Sequence, residues 1–304
     1  MSGEFFRKRK VGSEVIYPAF NYMGMKTRLI PDIRRLARIG NPYSTRFIDV
    51  FTGSGAVSVN MPFRNTVMND RVGTLVEFYE WCSHIRSFTG LQKEIEELAG
   101  KYPNTNETFN DFVREYKENP SPLMFWYLSY RSYNSSPKFS PDGSLRASSR
   151  GKGYEEHVSL NTMAGRLYRF AQGLQEKDIR FTSFDFRKLP EAVGMSEDDI
   201  WYLDPPYLGS DADYTDDWTK ESEEDLFHLL YELSRQGARL ILSYCIQNKG
   251  KVNHSFLNLY EWYRGRIEGG LHMHHVDISY ANCTANRAVH DDFSDEVLIT
   301  NYEI

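Results

Sequence analysis

The chain has 304 residues, of which 40% are hydrophobic and 26% are charged, with a formal net charge of -6 at pH 7. This composition is typical of a globular protein, excludes an extensively disordered one, and suits one large domain or two ordinary ones. The sequence has no apolar run of about 18 residues and no signal-peptide core, so a membrane span is not expected. Cys82, Cys245 and Cys283 form no C-x-x-C pair, which disfavours a disulfide framework and a zinc site and predicts a reducing cytoplasm.

The N-terminal part of the chain alternates predicted strands and helices. Residues 46–51 (RFIDVF) are predicted to form a buried strand, and the glycine turn that follows (TGSGAVSVN) is predicted to open a helix. Residues 65–70 (NTVMND) are predicted to form a second strand that ends on an acid, and the next stretch (VGTLVEFYEWCSHI) has apolar residues at helical spacing. Strand, helix, strand, helix is the start of a doubly wound α/β sheet.

The middle of the chain, from about residue 89 to 175, is predicted to be mainly helical (LQKEIEELAG and SPLMFWYLSYRSY). A Ser, Gly and Arg-rich stretch containing PDGS predicts a β-hairpin or ordered loop with a basic tip. Further strands are predicted from DIRFTSFDF, DIWYLD, ARLILSYC and DEVLITNY, with a helix over residues 222–237 that stops at Gly237. We therefore expect one α/β sheet interrupted by a helical insert.

Charge is distributed unevenly along the chain. Residues 131–152 contain five basic residues and one acid, whereas residues 211–225 contain eight acids and one lysine. The overall negative charge argues mildly against a nucleic-acid partner. A local basic patch can still bind phosphates, because salt screens distant charges beyond about 10 Å.

A glycine turn and a later acid indicate a nucleotide-like ligand. Gly53 and Gly55 separate a predicted strand from its helix, where a tight turn lets a ligand approach the backbone. Ser58 replaces the third glycine of G-x-G-x-x-G and no G-K-[ST] follows, so a phosphate-cradling loop is not predicted, and an ordinary tight turn remains the alternative. Asp70 ends the next strand about 20 residues on, where an acid accepts ribose hydroxyls or, alternatively, caps a helix.

The segment WYLDPPYLGS combines a strand with an abrupt stop. Pro205 and Pro206 have no backbone N–H to donate to a sheet, so the strand is predicted to end at Asp204. This leaves a carboxylate at the strand tip and the aromatic ring of Tyr207 three residues further on, an arrangement suited to a planar group. The alternative is a strand-ending cap followed by a core aromatic residue.

Three motifs in a fixed order, NYMGMK (21–26), DVFTGSG (49–55) and DPPY (204–207), resemble those of the Dam-like, D12-class DNA adenine-N6 methyltransferases, the α group of amino-methyltransferases. The resemblance extends over most of the chain and includes MFWYLSYRSYNS, FTSFDF and SDEVLITNY. It implies a Rossmann-like S-adenosylmethionine-dependent methyltransferase sheet with a helical target-recognition insert that carries a β-hairpin or loop. The implied boundaries are 1–78 and 180–304 for the catalytic domain and 79–179 for the insert.

The resemblance also implies roles for individual residues. Asp204 and the Pro205 carbonyl would accept the two N–H groups of an adenine amine, with Pro206 holding the segment rigid and Tyr207 stacking on the flipped base, and this chemistry needs no metal. The implied cofactor-binding residues are Tyr22, Lys26, Asp49, Phe51, Gly53, Gly55, Asp70 and Asp185. The predicted DNA contacts are Arg131, Asn134, Lys138, Arg146, Arg150 and Lys152. The insert has GSLRASSRGKG where the family carries a Phe-Asn-x-Pro element, so no target sequence is implied.

Other functions remain as alternatives at this point. The same motif suits cytosine N4 or an amine in RNA, and a catalytically silent DNA-binding homologue would keep the same fold, whereas the missing third glycine disfavours a nicotinamide oxidoreductase. The expected partner is double-stranded DNA, with a cognate restriction endonuclease as a further candidate and a monomer as the default state. Tyr130, Tyr133 and Phe139 are predicted to pack internally, and His272, His274 and His275 to be structural or surface residues.

Overall fold

The computed structural model describes residues 15–22, 24–132, 136–140, 143–147, 159–208, 218–248, 250–276 and 295–303. Its strands, in chain order, are β1 (Arg46–Asp49), β2 (Asn65–Asn69), β3 (Lys138–Phe139), β4 (Leu145–Arg146), β5 (Asp178–Thr182), β6 (Asp199–Leu203), β7 (Arg239–Asn248), β8 (Lys251–Val252), β9 (His272–Val276) and β10 (Asp295–Thr300). Its α-helices are α1 (Ile30–Ala37), α2 (Ala56–Asn60), α3 (Gly73–Ser83), α4 (Phe88–Lys101), α5 (Asn106–Glu118), α6 (Pro122–Arg131), α7 (Leu160–Gln175), α8 (Leu189–Val193), α9 (Lys220–Arg235) and α10 (His254–Arg264). A short 3-10 helix, Lys26–Leu29, precedes α1.

The main sheet has the strand order β5-β2-β1-β6-β7-β10-β9, with β8 hydrogen-bonded to β7. The strands from β5 to β7 pair in parallel, whereas β10 lies antiparallel between β7 and β9. This confirms the predicted α/β class with a mostly parallel, Rossmann-like sheet. The strand order reverses between β1 and β6, and ligands of open parallel sheets bind in the crevice at the carboxyl ends of such strands.

Helices cover both faces of the sheet, because successive strand residues point to opposite sides. Phe47 of β1 packs in a cluster with Ile33 of α1, whereas its neighbour Ile48 packs in a second cluster with Leu226 of α9. All five residues of β6 are buried. The central strands are therefore held from both sides, and only their ends are available to a ligand.

The insert between α3 and α7 contains α4, α5, α6 and the β3–β4 hairpin. These helices pack with α3 and α7 around an aromatic-rich cluster that includes Phe78, Phe112 and Trp126. The predicted hairpin is confirmed by the antiparallel pairing of Lys138 with Arg146 and of Phe139 with Leu145. Tyr130 and Phe139 are buried in the same cluster, which confirms their predicted packing role, and Tyr133 lies outside the described residues.

Several strands end earlier than predicted. Those predicted over residues 65–70, 199–204 and 295–302 end at Asn69, Leu203 and Thr300. The strand predicted over residues 178–186 ends at Thr182, and two residues further on Phe184 N donates to the Asn69 side chain at 2.9 Å. The strand predicted over residues 46–51 ends at Asp49. Gly237 has φ 76° just after α9, which confirms the predicted stop.

The histidines of β9 make local contacts. His272 Nε2 lies 3.0 Å from Gly269 O, His274 Nε2 lies 3.3 Å from Thr300 Oγ1, and His275 Nδ1 lies 3.0 Å from Asp295 Oδ1. Within the described residues, no group of three or more His, Cys, Asp or Glu side chains is arranged to hold a metal ion. None of the described helices is both long and apolar enough to cross a membrane.

Candidate active site

A pocket opens where the carboxyl ends of β1, β2 and β6 meet. All of the predicted catalytic and cofactor-binding residues line it except Gly55, and these lining residues are Tyr22, Lys26, Asp49, Phe51, Gly53, Asp70, Asp185, Asp204, Pro205, Pro206 and Tyr207. They come from distant parts of the sequence. The parallel topology collects them because it places the ends of these strands at one edge of the sheet.

The glycine turn after β1 requires glycine at both positions. Gly53 and Gly55 have φ values of 49° and 71°, in the region that side chains with a Cβ disfavour. A Cβ on Gly55 would lie 2.8 Å from the Phe170 ring, and one on Gly53 would lie 3.4 Å from the ring of Tyr22. The turn is thus packed tightly against its neighbours, with Gly53 at the pocket and Gly55 behind it.

Asp70 holds this turn in place. Its Oδ2 accepts a hydrogen bond from Gly53 N at 2.8 Å, and its Oδ1 accepts one from Val72 N at 2.9 Å. Burial raises the pKa of Asp70, and these two hydrogen bonds oppose the rise. Val72 immediately precedes α3, so the contact partly matches the helix-capping alternative. No sequence pattern predicted the contact between Asp70 and Gly53.

Asn69 ties together three strand ends, a role that the sequence analysis missed. Its amide nitrogen donates to Val50 O at 2.9 Å and to Phe184 O at 3.0 Å, and its side-chain oxygen accepts from Thr182 Oγ1 at 2.9 Å. Every part of the amide is therefore used. An asparagine directly before a strand-ending acid was the available signal.

Asp49 is a buried carboxylate at the tip of β1. Its Oδ2 accepts a hydrogen bond from Ser58 Oγ at 2.5 Å, whereas its Oδ1 has no hydrogen-bond partner among the described residues. Burial raises the pKa of Asp49 to about 7, with Asp204 and Asp70 adding to the rise and Ser58 opposing it. A carboxylate in this state favours a positively charged ligand group, because such a group would stabilise its ionised form.

Asp204 lies at the tip of β6 with both of its described contacts on one oxygen. Lys26 Nζ lies 2.9 Å from Oδ1, and Tyr207 Oη donates to the same atom at 3.0 Å. No hydrogen bond or ion pair within the described residues uses Oδ2, so this oxygen is left as an acceptor. Burial raises the pKa of Asp204, and Lys26 and Tyr207 oppose the rise.

Lys26 was predicted as a cofactor contact, and the structure places its ammonium group against Asp204. Lys26 is only 4% exposed, and Nζ also donates to Gly24 O at 2.9 Å. Nζ lies 5.2 Å from the centroid of the Tyr207 ring. Lys26 thus fixes both the carboxylate and the aromatic ring of the DPPY segment.

An aromatic wall forms one side of the pocket. The ring centroids of Phe51, Phe186 and Trp218 lie between 5.4 and 5.9 Å apart. The Arg187 guanidinium covers Phe186 at 4.5 Å and pairs with Asp185 at 3.1 Å. The sequence analysis found Phe51 and Asp185 but missed Phe186 and Trp218; the alternating aromatic residues of SFDF were a signal for Phe186, and Trp218 had none.

The predicted DNA contacts lie in different environments. Arg131 is 2% exposed, with its guanidinium about equally close to the rings of Phe109, Phe112 and Tyr127. It donates to Thr105 O at 2.8 Å, so it is not available to DNA in this structure, contrary to the prediction. Lys138 and Arg146 lie on the hairpin, and Arg146 is exposed. The other three predicted DNA contacts, Asn134, Arg150 and Lys152, lie outside the described residues.

The pocket, the glycine turn and the DPPY segment on this sheet define a methyltransferase-like site, and the comparison with known families agrees. The family described as D12 class N6 adenine-specific DNA methyltransferase matches residues 22–275. The chain belongs to this family, which confirms the predicted resemblance.

Individual relatives show the same likeness. The chain is 30% identical over 292 residues to the Modification methylase StsI of Streptococcus sanguinis, a match that covers 93% of this chain and 42% of that protein. It is 27% identical over 304 residues to the Type II methyltransferase M.FokI of Planomicrobium okeanokoites, covering 97% and 44%. It is 22% identical over 254 residues to the DNA adenine methylase of Escherichia coli (strain K12), covering 80% and 82%. The chain therefore spans less than half the length of the first two relatives.

Proposed function

We propose that the chain is a site-specific adenine DNA methyltransferase, which transfers a methyl group from S-adenosylmethionine to the N6 amine of an adenine flipped out of double-stranded DNA. The observation that carries the proposal is the arrangement around Asp204. Lys26 and Tyr207 hold Oδ1 of this pocket residue, and no hydrogen bond or ion pair within the described residues uses its Oδ2. Family membership supports the choice of adenine over cytosine or RNA.

The chemistry follows from the weakness of the nucleophile. The lone pair of the adenine amine is delocalised into the ring, so the amine attacks poorly unless its N–H groups are held by acceptors. Asp204 would accept one N–H and the Pro205 carbonyl the other, with the φ angles of Pro205 and Pro206 fixed by their rings. The ring of Tyr207 would stack on the base, whose removal from the duplex costs a few kcal/mol.

The residues at the pocket fit S-adenosylmethionine, which when bound supplies a methyl group on a sulfonium. Asp49 Oδ1 is buried without a described partner, and a positive ligand group would satisfy it. The aromatic wall suits a purine ring. The remaining lining residues that would hold the cofactor are Tyr22, Lys26, Gly53, Asp70 and Asp185, of which Asp70 would meet the ribose and Asp185 the adenine. Gly55 would act indirectly, by shaping the turn behind Gly53.

The insert, residues 79–179, is proposed to recognise the target, with residues 1–78 and 180–304 forming the catalytic domain. Lys138 and Arg146 support this role, because they lie directly opposite each other on the hairpin. Two basic side chains placed side by side on a short hairpin suit contacts with DNA phosphates. A cognate restriction endonuclease is the proposed protein partner, since two relatives are a modification methylase and a Type II methyltransferase. A monomer suffices for the reaction.

The test is transfer of labelled methyl from S-adenosylmethionine to unmethylated duplex DNA, followed by digestion to nucleosides. Label is expected in N6-methyladenine, and Asp204→Ala is expected to reduce it by about 100- to 1,000-fold, since a preorganised acceptor is lost. Asp198→Ala, at an exposed aspartate just before β6, is the matched control and is expected to be fully active.

The other outcomes contradict the proposal in different ways. Full activity of Asp204→Ala would remove its chemical basis. Label in N4-methylcytosine, or in RNA only, would replace the substrate. Absence of both methyl transfer and cofactor binding would favour a catalytically silent DNA-binding protein.

A further inference from the structure

A buried polar network lies behind the DPPY segment and outside the pocket lining. Glu223, in the first turn of α9, and Tyr244, on β7, are both fully buried. Asn253 caps α10, with its Oδ1 accepting from Phe256 N at 3.0 Å. The network therefore connects a strand of the sheet to the starts of two helices.

The hydroxyl of Tyr244 is the centre of this network. It donates to Glu223 Oε1 and accepts from Asn253 Nδ2 at 3.2 Å. Asn253 Nδ2 also donates to Glu223 Oε1 at 2.8 Å, which closes a triangle of hydrogen bonds. Leu208 N, directly after the DPPY motif, donates to the same hydroxyl at 3.4 Å.

The ring of Tyr244 contacts the motif as well. Its centroid lies 4.9 Å from that of Tyr207, at an interplanar angle of 60°. On its other side it stacks on Phe256 at 3.8 Å and 10°. Tyr244 thus touches the DPPY segment through both its ring and its hydroxyl, and it cannot rotate without losing contacts on each side.

The polar character of this network needs a reason, since packing alone does not require it. A phenylalanine would fill the space of Tyr244. Burying the Glu223 side chain is costly, the more so because its Oε2 has no hydrogen-bond partner among the described residues. Burial also raises the pKa of Tyr244, and nearby Glu223 adds to the rise, so the hydroxyl stays protonated as a donor. What the polar groups add is a single fixed orientation of the ring and of the backbone at Leu208.

That orientation reaches the reacting group through Tyr207. Tyr207 Oη donates to Asp204 Oδ1, so a shift of the Tyr207 ring moves one of the two contacts that orient the carboxylate. We propose that Tyr244, held by Glu223 and Asn253, is a positioning residue that sets Tyr207 and thereby the Asp204 carboxylate for methyl transfer. The inference rests on the proposed function.

The test compares Tyr244→Phe with Tyr260→Phe in the full chain. Tyr260 is also buried, and its hydroxyl donates to Leu271 O at 3.0 Å outside the pocket, so the control loses the same chemical group. The measurements are kcat and KM for DNA, S-adenosylmethionine affinity and thermal stability. Tyr244→Phe is expected to lower kcat by about 10- to 100-fold, because small misplacements of reacting groups are that costly, with unchanged cofactor affinity.

Glu223→Gln is a second variant that keeps the shape of the side chain. Glu223→Gln is also expected to lower kcat. The loss of kcat in the double variant with Tyr244→Phe is expected to be smaller than the product of the two single losses, since both residues act through one network. If Tyr244→Phe does not fold, Glu223→Gln alone decides, by the same split between kcat and cofactor affinity.

The outcomes separate this inference from the function on which it rests. A wild-type chain that transfers no methyl would remove both. An active wild type with a wild-type kcat in Tyr244→Phe would remove the positioning role alone, as would losses of kcat no larger than those of Tyr260→Phe. Independent, multiplicative effects of Tyr244→Phe and Glu223→Gln would also overturn it.

Discussion

Two buried cations, Lys26 and Arg131, sit in different regions of the molecule and have different surroundings. Lys26, beside the sheet, is 4% exposed and its ammonium group lies 2.9 Å from a carboxylate at the pocket. Arg131, in the insert, is 2% exposed and its guanidinium lies between 5.5 and 5.6 Å from the centroids of three aromatic rings. Burial alone therefore does not distinguish a functional cation from a structural one.

The groups that face each cation make the distinction. Lys26 stabilises the ionised form of Asp204, which has an oxygen left as an acceptor, so its charge bears on chemistry. Arg131 donates to Thr105 O and Thr108 Oγ1, so its charge bears on how α5 and α6 pack. Substitutions at the two positions are expected to separate activity from stability.

The largest effect is expected from Lys26→Met. Lys26 lowers the pKa of Asp204, so its removal raises that pKa and makes the carboxylate protonate at higher pH. The acid limb of the pH–kcat profile is expected to move upward by about 1–3 pH units, the range for losing a close opposite charge. Methylation would then be lost at low pH and partly recovered as pH rises, which a pH profile of labelled methyl transfer measures.

The control for this variant is Lys177→Met. Lys177 is half-buried outside the pocket, where its ammonium donates to Phe63 O at 3.0 Å and burial lowers its pKa to about 8. Its removal is expected to affect stability and leave the acid limb in place. If the acid limb of the pH–kcat profile does not move in Lys26→Met, then Lys26 and Arg131 do not differ as described.

The next effect is on stability, in Arg131→Met. Loss of the two hydrogen bonds and of the contact with the rings is expected to lower the free energy of unfolding by about 2–3 kcal/mol. Methyl transfer per folded molecule should be unchanged. Arg114→Met, at an exposed arginine of α5 paired with Asp111, is the control and is expected to change stability by less than about 0.5 kcal/mol. Denaturant titration measures both.

The difference between Lys26 and Arg131 also shows which features of the site can be predicted from the sequence. Asp49, Asp204 and the Gly53 turn were found because strand-ending acids and glycine turns are local signals, and parallel topology then brings them together. The burial of Arg131 depends on how α5 packs against α6, which no local pattern records. Trp218 joins the pocket only through the position of α9, so the aromatic wall was found in part.

Asp49 is a buried carboxylate that differs from Asp204, because no cation among the described residues forms an ion pair with it. With its pKa at about 7, it is ionised above that pH and protonated below it. A positive cofactor group binds the ionised form, so affinity for S-adenosylmethionine is expected to fall as pH drops below 7. The limiting slope is about tenfold per pH unit, or about 1.4 kcal/mol.

Calorimetry of cofactor binding between pH 5 and 8 tests this, with Asp49→Asn as the comparison. The variant is expected to bind weakly and to lack the bend at pH 7. The α-amine of the cofactor itself titrates at about 8, so the difference between the two proteins isolates the contribution of Asp49. The same bend in Asp49→Asn would assign the pH dependence to another group.

The smallest effect is expected from Arg146→Gln, which contrasts an exposed cation of the insert with the buried Arg131. If Arg146 contacts one phosphate, its loss reduces the slope of log affinity against log salt by about 1 and weakens DNA binding alike for all sequences. Arg131→Met is expected to leave the slope unchanged, as is Arg235→Gln at an exposed position at the end of α9. DNA affinity measured over a range of salt concentrations decides between them. A reduced salt slope in Arg131→Met with an unchanged one in Arg146→Gln would mean that the insert turns its buried arginine outward to meet DNA. Arg131 would then be a functional cation rather than a structural one.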